Sequence, residues 1–375
     1  MKQEVFRTQQ LSKLKQLLAK VPVDKIFLVH GKKSYESSGA KKYIDSLLNG
    51  KMLAAFNEFE VNPQLNDLIS GVDYFKKGTY ELIVAIGGGS VLDMAKLISV
   101  FSHQQSDFKD FISGNRPVKA VKTPVLAIPT TAGTGAEATR FAVLYMDKNK
   151  YSVDHPVLLP DYVFLTPELL PDANTYLTAC TGLDAFCQAI ESVWSVNATD
   201  ESENYALQAL DIIWKNLPLA VNANDASAKG EMQEGAYLAG KAINITRTTA
   251  PHALSYAFTS YYGISHGHAV ALSLPFFLQY NYHVNDSDCI DKRGAAHVKM
   301  RIKKISTRLN LNIETLEDTF IQFFDSLGVN MKLKSLIPVL ERDIIINNVN
   351  YARLNNNPRL VTQEVIREFL AKADE

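Results

Sequence analysis

The sequence predicts an α/β domain with a parallel sheet, followed by an all-helical domain. In the first part of the chain, short apolar runs of β-type residues alternate with amphipathic helical runs. This alternation is typical of a parallel sheet that is covered on both faces. After about Pro171, long helical patterns dominate and few β-type alternations remain. We therefore predict two domains, residues 1–171 and 172–375.

The strands of the first domain are predicted from their apolar runs. These runs are KIFLVH (25–30), LAAFNEFE (53–60), ELIVAI (81–86) and VLAIPT (125–130). Helical periodicity between them, as in PQLNDLISGVDYFKKG and in the run from Ser90 to Val100, predicts the covering helices. In the second domain, ENYALQALDIIWKNLPLAV and VKMRIKKISTRL have the same periodicity and predict long helices.

Composition excludes several classes of protein. The chain has 39 basic and 40 acidic residues and a net charge of -1, so it lacks the basic excess that nucleic acid binding requires. Its three cysteines have no CxxC spacing, which favours a reducing compartment. We find neither a signal peptide at the N-terminus nor an apolar run long enough for a membrane helix. We expect a cytoplasmic protein without nucleic acid or membrane partners.

Two loops that follow predicted strands are rich in glycine and threonine. Gly87-Gly88-Gly89-Ser90 lies where a strand meets a helix, and the run Pro129–Glu137, PTTAGTGAE, follows another strand. Glycine allows close approach of a ligand, and a helix N-terminus attracts a pyrophosphate. A tight turn would also explain the first loop. Both loops together predict a dinucleotide crevice at the end of the sheet.

A second group of residues has the chemistry of a metal site. Asp184 and Gln188 are four residues apart on a predicted helix and share one face. His252 and His266 flank another predicted helix, with a cap at Thr248 or Thr249, Pro251 in the first turn and Gly263 at the end. The residues alone leave three possibilities open: a metal site with an unusual ligand, a metal site that has been lost, or an ordinary buried helix.

Taken together, these motifs resemble the iron-dependent (group III) alcohol dehydrogenase family. The resemblance rests on IGGGSVLDMAK, PTTAGTGAE, KYSVDHPVLLPDYVFLTPELL, TGLDAFCQAIES and SHGHAVALSLP. It implies a dehydroquinate synthase-like architecture, with an α/β nucleotide-binding domain before a helical domain. The implied cofactor-binding residues are Gly87, Gly88, Gly89, Ser90 and Asp93 at the pyrophosphate, Thr130, Thr131 and Thr134 at the nicotinamide and ribose, and Lys150 and Leu169 close by.

The end of the first predicted strand informs the choice of cofactor. NAD-preferring relatives commonly carry Asp there, whereas this chain has Gly31, followed by Lys32, Lys33 and Ser34. Gly31 does not repel a 2′-phosphate, and the lysines and Ser34 could contact one. A solvated lysine pair would also explain these residues. We predict that NADPH is accepted alongside NADH.

In the implied metal site, Asp184, Gln188, His252 and His266 are the ligands. Gln188 stands where the family usually has His, and an amide oxygen is a weaker ligand than imidazole. We expect Fe²⁺, with Zn²⁺, Ni²⁺ or Mn²⁺ as alternatives. Tyr256 also replaces a frequent His, so the candidate proton donors are Tyr256 and, with a spacing that directs it elsewhere, His268.

With these two departures, the chain resembles the phosphonoacetaldehyde reductase subgroup of the family. Arg247, Thr248 and Thr249 at a helix start are suited to a phosphonate, although a surface arginine beside capping threonines would have the same sequence. We expect metal-dependent, NAD(P)H-linked reduction of phosphonoacetaldehyde to 2-hydroxyethylphosphonate by a homodimer. The alternatives are a group III dehydrogenase for uncharged short-chain alcohols, a dehydroquinate-synthase-like lyase, and a non-catalytic nucleotide-binding protein.

Overall fold

The computed structural model describes residues 3–21, 23–48, 52–105, 107–146, 149–170 and 174–373. The chain divides into two compact units, Met1–Ala173 and Asn174–Glu375. The predicted domain boundary between residues 171 and 172 falls outside the described residues. Among the helices of the described ranges, none combines the length and apolar character that crossing a bilayer requires.

The first unit alternates strands and helices. Its strands are β1 (Glu4–Arg7), β2 (Ile26–His30), β3 (Met52–Phe56), β4 (Leu82–Gly87), β5 (Val125–Pro129), β6 (Phe141–Met146), β7 (Asn149–Asp154) and β8 (Tyr162–Leu165). Its α-helices are α1 (Leu14–Lys20), α2 (Ser34–Ser37), α3 (Ala40–Leu47), α4 (Leu65–Phe75), α5 (Gly89–Phe101) and α6 (Phe108–Ile112).

Six of these strands form a parallel sheet in the order β1-β8-β5-β4-β2-β3. The four predicted strands correspond to β2, β3, β4 and β5. The third strand of the chain ends at Phe56, before the predicted limit, because the backbone turns at Asn57, whose carbonyl accepts a hydrogen bond from Phe59 N. The sequence reasoning missed β1, β8 and the antiparallel pair β6–β7.

Both faces of the sheet are buried, as the continuous apolar runs predict. In β2, Phe27 and Val29 belong to one hydrophobic core, and Ile26 and Leu28 belong to the other. The same alternation continues through the neighbouring strands β4 and β5. Because successive side chains of a strand point to opposite faces, one apolar run supplies both cores.

The chain reverses its winding direction between β2 and β4. These strands are neighbours, but β2 is followed by a connection to β3 on one side, and β4 by a connection to β5 on the other. Ligands of open α/β sheets bind at the carboxyl ends of strands at such a reversal. The loops at this position begin at Gly31 and Gly88, so the predicted cofactor loops lie at the expected edge.

The second unit is helical throughout its described residues, apart from an isolated β-bridge between Cys289 and Arg359. Its helices are α7 (Thr175–Trp194), α8 (Asp200–Asn222), α9 (Ala226–Thr246), α10 (Ala250–Tyr262), α11 (His266–Ala271), α12 (Leu274–Tyr282), α13 (Ala295–Leu309), α14 (Leu316–Ser326), α15 (Leu333–Leu336), α16 (Arg342–Asn347), α17 (Tyr351–Leu354) and α18 (Gln363–Lys372). The predicted architecture, a parallel α/β unit followed by a helical unit, is confirmed.

Helix α7 is the centre of the second unit and packs against α8, α9 and α11. Its residues from Gly182 to Trp194 are all buried. Phe186 contacts the rings of Trp214, Phe320 and Phe324. Since this part of the helix is enclosed on every side, any polar side chain along it needs a partner from a neighbouring element.

Candidate metal centre

One face of the buried helix α7 carries three polar side chains. Asp184, Gln188 and Glu191 follow one another by four and then three residues, which places them on the same face. Asp184 and Gln188 are each 4 % exposed and Glu191 is fully buried. Burying carboxylates is costly unless they are paired or coordinate a metal. The face therefore requires cationic or hydrogen-bonding partners.

His252 reaches this face from the first turn of α10. The helix begins at Ala250, has Pro251 in its first turn and ends at Tyr262, and the following Gly263 has a left-handed φ of 70°, which suits the predicted helix end. His252 Nδ1 hydrogen-bonds Glu191 Oε2, and Nε2 lies 3.2 Å from Asp184 Oδ1. One carboxylate thus orients the ring while the opposite nitrogen faces the other carboxylate.

The N-terminus of α10 is occupied by the carboxylate of Glu191. Glu191 Oε1 accepts hydrogen bonds from the Thr249 hydroxyl at 2.8 Å, the Thr249 backbone N–H at 2.9 Å and the His252 backbone N–H at 3.4 Å. The Trp194 indole N–H in turn donates to the Thr249 hydroxyl at 2.9 Å. The positive end of the helix dipole stabilises this buried anion.

His266 is brought to the same face by the close crossing of α11 over α7. The next residue, Gly267, has no side chain, and a methyl group there would collide with the backbone carbonyl of Cys180. The rings of His252 and His266 have centroids 5.5 Å apart, and Ser255 Oγ lies 3.4 Å from His266 Nδ1. Only glycine permits this approach of two backbones.

Asp184, His252 and His266 each offer one ligand atom, and these atoms all lie within 4.8 Å of one another. One carboxylate and two imidazoles form a donor set that suits Fe, Zn, Ni or Mn, and Glu191 supplies the outer hydrogen bond typical of a metal-binding His. The residues therefore fit a divalent transition metal. Gln188 donates its amide N–H to Asp184 Oδ1 at 3.1 Å, and rotating the amide by 180° would present its oxygen instead.

The protonation of His252 reflects the charge of this centre. Burial by itself lowers the pKa of the imidazole, but the Glu191 and Asp184 carboxylates outweigh burial and raise the pKa of His252 to about 9. In the metal-free protein, a proton therefore supplies positive charge between the two carboxylates at neutral pH. A metal ion has to displace that proton.

The two candidate proton donors have different surroundings. Tyr256 lies one turn after His252, and its ring stacks on His266 with centroids 6.3 Å apart. Burial raises the pKa of the Tyr256 phenol, and the charge and hydrogen bond of Arg353 oppose that rise. His268 uses its Nδ1 on the Tyr176 hydroxyl at 2.9 Å and its Nε2 on a backbone carbonyl at 2.7 Å. These contacts hold the His268 ring outside the metal cluster.

The three predicted substrate residues are separated by their contacts. Arg247 ends α9 with a left-handed φ of 61°, and its Nη1 donates to the carbonyl of Asn244 at 3.0 Å. Thr249 is fully buried and holds Glu191. Thr248 accepts a hydrogen bond from Arg353 Nη1 at 2.8 Å. Thr249 therefore contributes to the metal centre's outer hydrogen bonds, and Arg353 is a neighbour that the sequence reasoning missed.

In the first unit, the predicted cofactor loops lie against one another. A methyl group on Gly88 would lie 3.3 Å from Thr131 Cγ2, and one on Gly89 would lie 3.0 Å from Thr134 Cγ2. The backbone N–H of Thr130 donates to the carbonyl of Gly87 at 3.0 Å. The glycine loop and the threonine loop thus form one continuous surface at the end of the sheet.

This surface fits a ligand with polar groups. Thr130 is 1 % exposed, and within the described ranges its hydroxyl has no hydrogen-bond partner. Buried hydroxyls are normally satisfied, so a ligand or water at the loop would complete its hydrogen bonding. A helix of thirteen residues, α5, begins at Gly89 and directs its N-terminus to the same place. Both features suit the pyrophosphate and ribose of a dinucleotide.

The other predicted cofactor residues lie in several different elements of the first unit. Ser34 begins α2 beside Gly31, and Ser90 Oγ accepts from the backbone of Asn62 at 3.3 Å. Asp93 accepts from Lys96 Nζ and from the Val143 backbone, both at 3.0 Å, which ties α5 to β6. The two remaining residues are Lys150 in β7, opposite Tyr145, and Leu169 in a hydrophobic core of the first unit.

Two residues that matter to the metal centre escaped the sequence reasoning. Glu191 had a usable signal, because it continues the Asp184–Gln188 face by one further turn inside an otherwise apolar helix. Arg353 had none, since it lies about a hundred residues after Thr248 in a four-residue helix. A contact over that separation depends on tertiary packing.

Comparison with known proteins shows the family of the chain. Residues 2–167 match the family described as iron-containing alcohol dehydrogenase, and residues 178–373 match the C-terminal domain of the Fe-containing alcohol dehydrogenase family. The phosphonoacetaldehyde reductase of Streptomyces viridochromogenes is 33 % identical over 307 residues, which cover 79 % of this chain and 76 % of that protein.

Two further relatives extend the comparison. Long-chain-alcohol dehydrogenase 1 of Geobacillus thermodenitrificans is 34 % identical over 62 % of this chain and 59 % of its own length. The crystal structure of an iron-containing alcohol dehydrogenase from Thermotoga maritima superimposes with a TM-score of 0.85 at 27 % identity, covering 100 % of this chain and 98 % of that one. The chain is therefore an oxidoreductase that belongs to the iron-containing alcohol dehydrogenase family.

Proposed function

We propose that this protein catalyses the metal-dependent, NAD(P)H-linked reduction of a small aldehyde to a primary alcohol. The proposed substrate is phosphonoacetaldehyde, and the product is 2-hydroxyethylphosphonate. The observation that carries the reductase proposal is the convergence of Asp184, His252 and His266, whose ligand atoms lie within 4.8 Å of one another. Gln188 is proposed as a fourth ligand through its amide oxygen.

In the proposed reaction, separate groups of residues would bind the metal and the dinucleotide. When bound, a divalent metal polarises the carbonyl and a reduced nicotinamide supplies the hydride to its carbon. Asp184, His252 and His266 would hold the metal, with Glu191 fixing the His252 ring. The loops at Gly87–Ser90 and Thr130–Thr134 would hold the dinucleotide.

Formation of the alcohol also requires a proton, which water, the ribose hydroxyls or Tyr256 could supply. Burial raises the pKa of the Tyr256 phenol, so at neutral pH it retains its proton and can donate a hydrogen bond to a developing alkoxide. The ring stacks on His266, which places it beside a ligand of the metal centre. We propose Tyr256, directly or through water, as the group that supplies the proton.

The choice of phosphonoacetaldehyde is supported by the Streptomyces viridochromogenes relative, whose name gives that aldehyde as its substrate. A second candidate function is dehydrogenation of an uncharged alcohol, because a relative named for long-chain alcohols is 34 % identical. The homodimer and the cytoplasmic location stay predictions.

A panel of aldehydes tests the proposal. Metal-loaded protein is mixed with NADPH or NADH and with phosphonoacetaldehyde or propanal, and nicotinamide absorbance is followed over many turnovers. We expect metal-dependent turnover and a kcat/KM at least about tenfold higher for phosphonoacetaldehyde. A higher kcat/KM for propanal would favour the uncharged-substrate function. Tight dinucleotide binding without turnover on any aldehyde would refute the reductase.

A further inference from the structure

We propose that Arg353, together with the Thr248 hydroxyl, forms the subsite that binds the anionic end of the substrate beside the metal centre. This inference rests on the proposed aldehyde reduction and specifies the residue that selects a charged aldehyde. Its basis is the position of Arg353, the neutral character of its partners, and the charge of the metal centre next to it.

The segment that carries Arg353 is fastened to the start of α10 at both of its ends. Before it, the backbone N–H of Asn350 donates to the carbonyl of Ala253 at 3.4 Å. After it, the side-chain amide of Asn356 donates to the carbonyl of Thr248 at 3.0 Å. Arg353 is thereby held over the first turn of α10, the turn that contains the metal ligand His252. Its placement does not depend on its own side-chain contacts.

The guanidinium of Arg353 is surrounded by hydroxyl groups. Its Nη1 donates to Thr248 Oγ1 at 2.8 Å, and it also hydrogen-bonds the Tyr256 phenol. Within the described ranges it forms no ion pair with a carboxylate. Other arginines of the second unit do have carboxylate partners: Arg293, Arg301, Arg308, Arg359 and Arg367.

A half-buried guanidinium with neutral partners can bind an anion. Arginine carries five N–H donors in a planar fork, and two neutral hydroxyls do not exhaust them. The fork matches the geometry of phosphonate oxygens and binds them through two parallel hydrogen bonds. Thr248 and Tyr256 hold the fork in position. The Thr248 hydroxyl also flanks the fork and can donate to the same anion.

The charge of the loaded centre leads to the same conclusion. Asp184 and Glu191 contribute two negative charges, which one divalent ion balances. Arg353 is then not needed as their partner and adds one positive charge beside a neutral cluster. An uncharged aldehyde would leave this charge without a counter-ion in a partly desolvated place, whereas a phosphonate would neutralise it.

Arg353→Met and Arg353→Lys, in the metal-loaded full chain, test the subsite. The matched control is Arg367→Met, which removes an exposed arginine of α18 that lies 3.6 Å from Asp343. The measurements are kcat/KM for phosphonoacetaldehyde and for propanal, and the binding of ethylphosphonate, a non-reacting anion, by calorimetry.

We expect Arg353→Met to lower kcat/KM for phosphonoacetaldehyde by about 100-fold and to weaken ethylphosphonate binding similarly. The loss on propanal should be at least about tenfold smaller, because there only the hydrogen bond from Arg353 to Tyr256 is removed. Arg353→Lys should fall between, because it keeps the charge and loses the fork. The control should leave all three values unchanged. Equal losses on both aldehydes, or no loss on either, would overturn the inference.

A failed proposed function would be recognised separately. If the wild-type protein reduces neither aldehyde, the reductase is wrong, while calorimetry with ethylphosphonate still tests Arg353. If it reduces propanal and binds no ethylphosphonate, the reductase stands and the subsite is wrong. Should Arg353→Met not fold, Thr248→Val replaces it, since that variant removes the hydroxyl that holds the guanidinium. We expect this variant to weaken ethylphosphonate binding, and unchanged binding would count against the subsite.

Discussion

Glu191 would compensate for Gln188, which stands in place of an imidazole in the proposed metal site. Its Oε2 hydrogen-bonds His252 Nδ1, so the ring is fixed with Nε2 directed at Asp184. A carboxylate on the far nitrogen also makes an imidazole a stronger ligand. In the proposed site, a strengthened histidine at position 252 would offset the weak amide donor at position 188.

Replacing Glu191 by Gln should weaken metal binding. The change removes the charge behind His252 and is expected to lower metal affinity by about 10- to 100-fold, measured by competition with a chelating dye. Glu201→Gln, an exposed acidic residue on α8, is the control and should bind as wild type. Equal affinities in both variants would show that Glu191 does not support the ligand.

Metal affinity should rise with pH up to about 9. The pKa of His252 is raised from 6.5 to about 9 in the metal-free protein, and the metal binds only the unprotonated ring. Below that pKa, affinity should fall about tenfold for each pH unit, because one proton is displaced for each metal bound. Calorimetry at neutral pH in buffers of different ionisation enthalpy should count that proton. A pH-independent affinity between pH 7 and 9 would contradict this assignment.

As pH rises, the stability of the metal-free protein should fall, whereas metal affinity should increase. A raised pKa means that protonated His252 stabilises the folded state, fully at pH values below about 6.5. That contribution is lost as pH rises through about 9. Metal-free protein should therefore lose stability in the pH range in which metal binding becomes strongest.

At the scale of elements, the site depends on three helices meeting at one place. Helix α7 supplies the acidic face, α10 supplies His252 from its first turn, and α11 supplies His266. The crossing of α11 over α7 is closest at Gly267, where no side chain can be accommodated. Helix packing and ligand geometry are thus set by the same contact.

Gly267→Ala should separate α11 from α7 and remove His266 from the centre. Since the added methyl meets a backbone carbonyl that cannot move aside, we expect a loss of about 1–3 kcal/mol in unfolding free energy together with most metal binding. Gly235→Ala is the packing control, because its methyl would meet a side-chain atom, Ile213 Cγ1, at 2.8 Å and not a backbone carbonyl, and it should cost stability while keeping the metal. Metal content and thermal unfolding of both variants measure the difference. A Gly267→Ala protein with full metal content would refute the packing argument.

The loop after β2 should determine how well NADPH is used. Lys32 forms an exposed ion pair with Glu60 at 3.0 Å, a weak contact that a phosphate could replace. Changing Lys32 and Lys33 to Ala should raise KM for NADPH about tenfold and leave KM for NADH unchanged. Lys41→Ala removes a similar exposed pair, with Glu36, and serves as the control. A wild-type preference for NADH by a large factor would end the prediction.

At the scale of the whole molecule, each unit has an interior of its own. The first unit has a hydrophobic core on each face of its sheet, and the second is organised around α7. In the second unit, a metal would join α7, α10 and α11 through side chains far apart in sequence. A ligand that binds only the folded state stabilises it by mass action.

Removal of the metal should therefore destabilise the protein. At free metal 100 times above the dissociation constant, the loaded form is favoured by about 2.7 kcal/mol. Thermal unfolding with metal and with a chelator measures this difference as a shift in Tm. His266→Ala, which lacks one ligand, should unfold at the same temperature in both conditions and should have little turnover. A wild-type Tm that does not respond to metal would contradict the proposed centre.

Much of the fold could be read from the sequence, because local patterns encode it. The strands β2 and β4 are continuous apolar runs that suit a sheet buried on both sides. Proline in the first turn and glycine at the end set the limits of α10. The short β1 and the hairpin β6–β7 were missed, since β1 has no fully buried position, β6 mixes buried and half-buried positions, and β7 buries only Val153.

The sequence by itself determined the two-part architecture and the ends of α10, since both depend on local patterns, and its resemblance to a known family implied Asp184, His252 and His266 as candidate ligands. Only the tertiary structure decided that Glu191 occupies the start of α10 and accepts a hydrogen bond from Thr249. It also decided that His268 bonds a backbone carbonyl outside the cluster and that Arg353 contacts Thr248. The physical reason is that hydrogen bonds between distant segments depend on how helices pack. Periodicity within one segment does not contain that information.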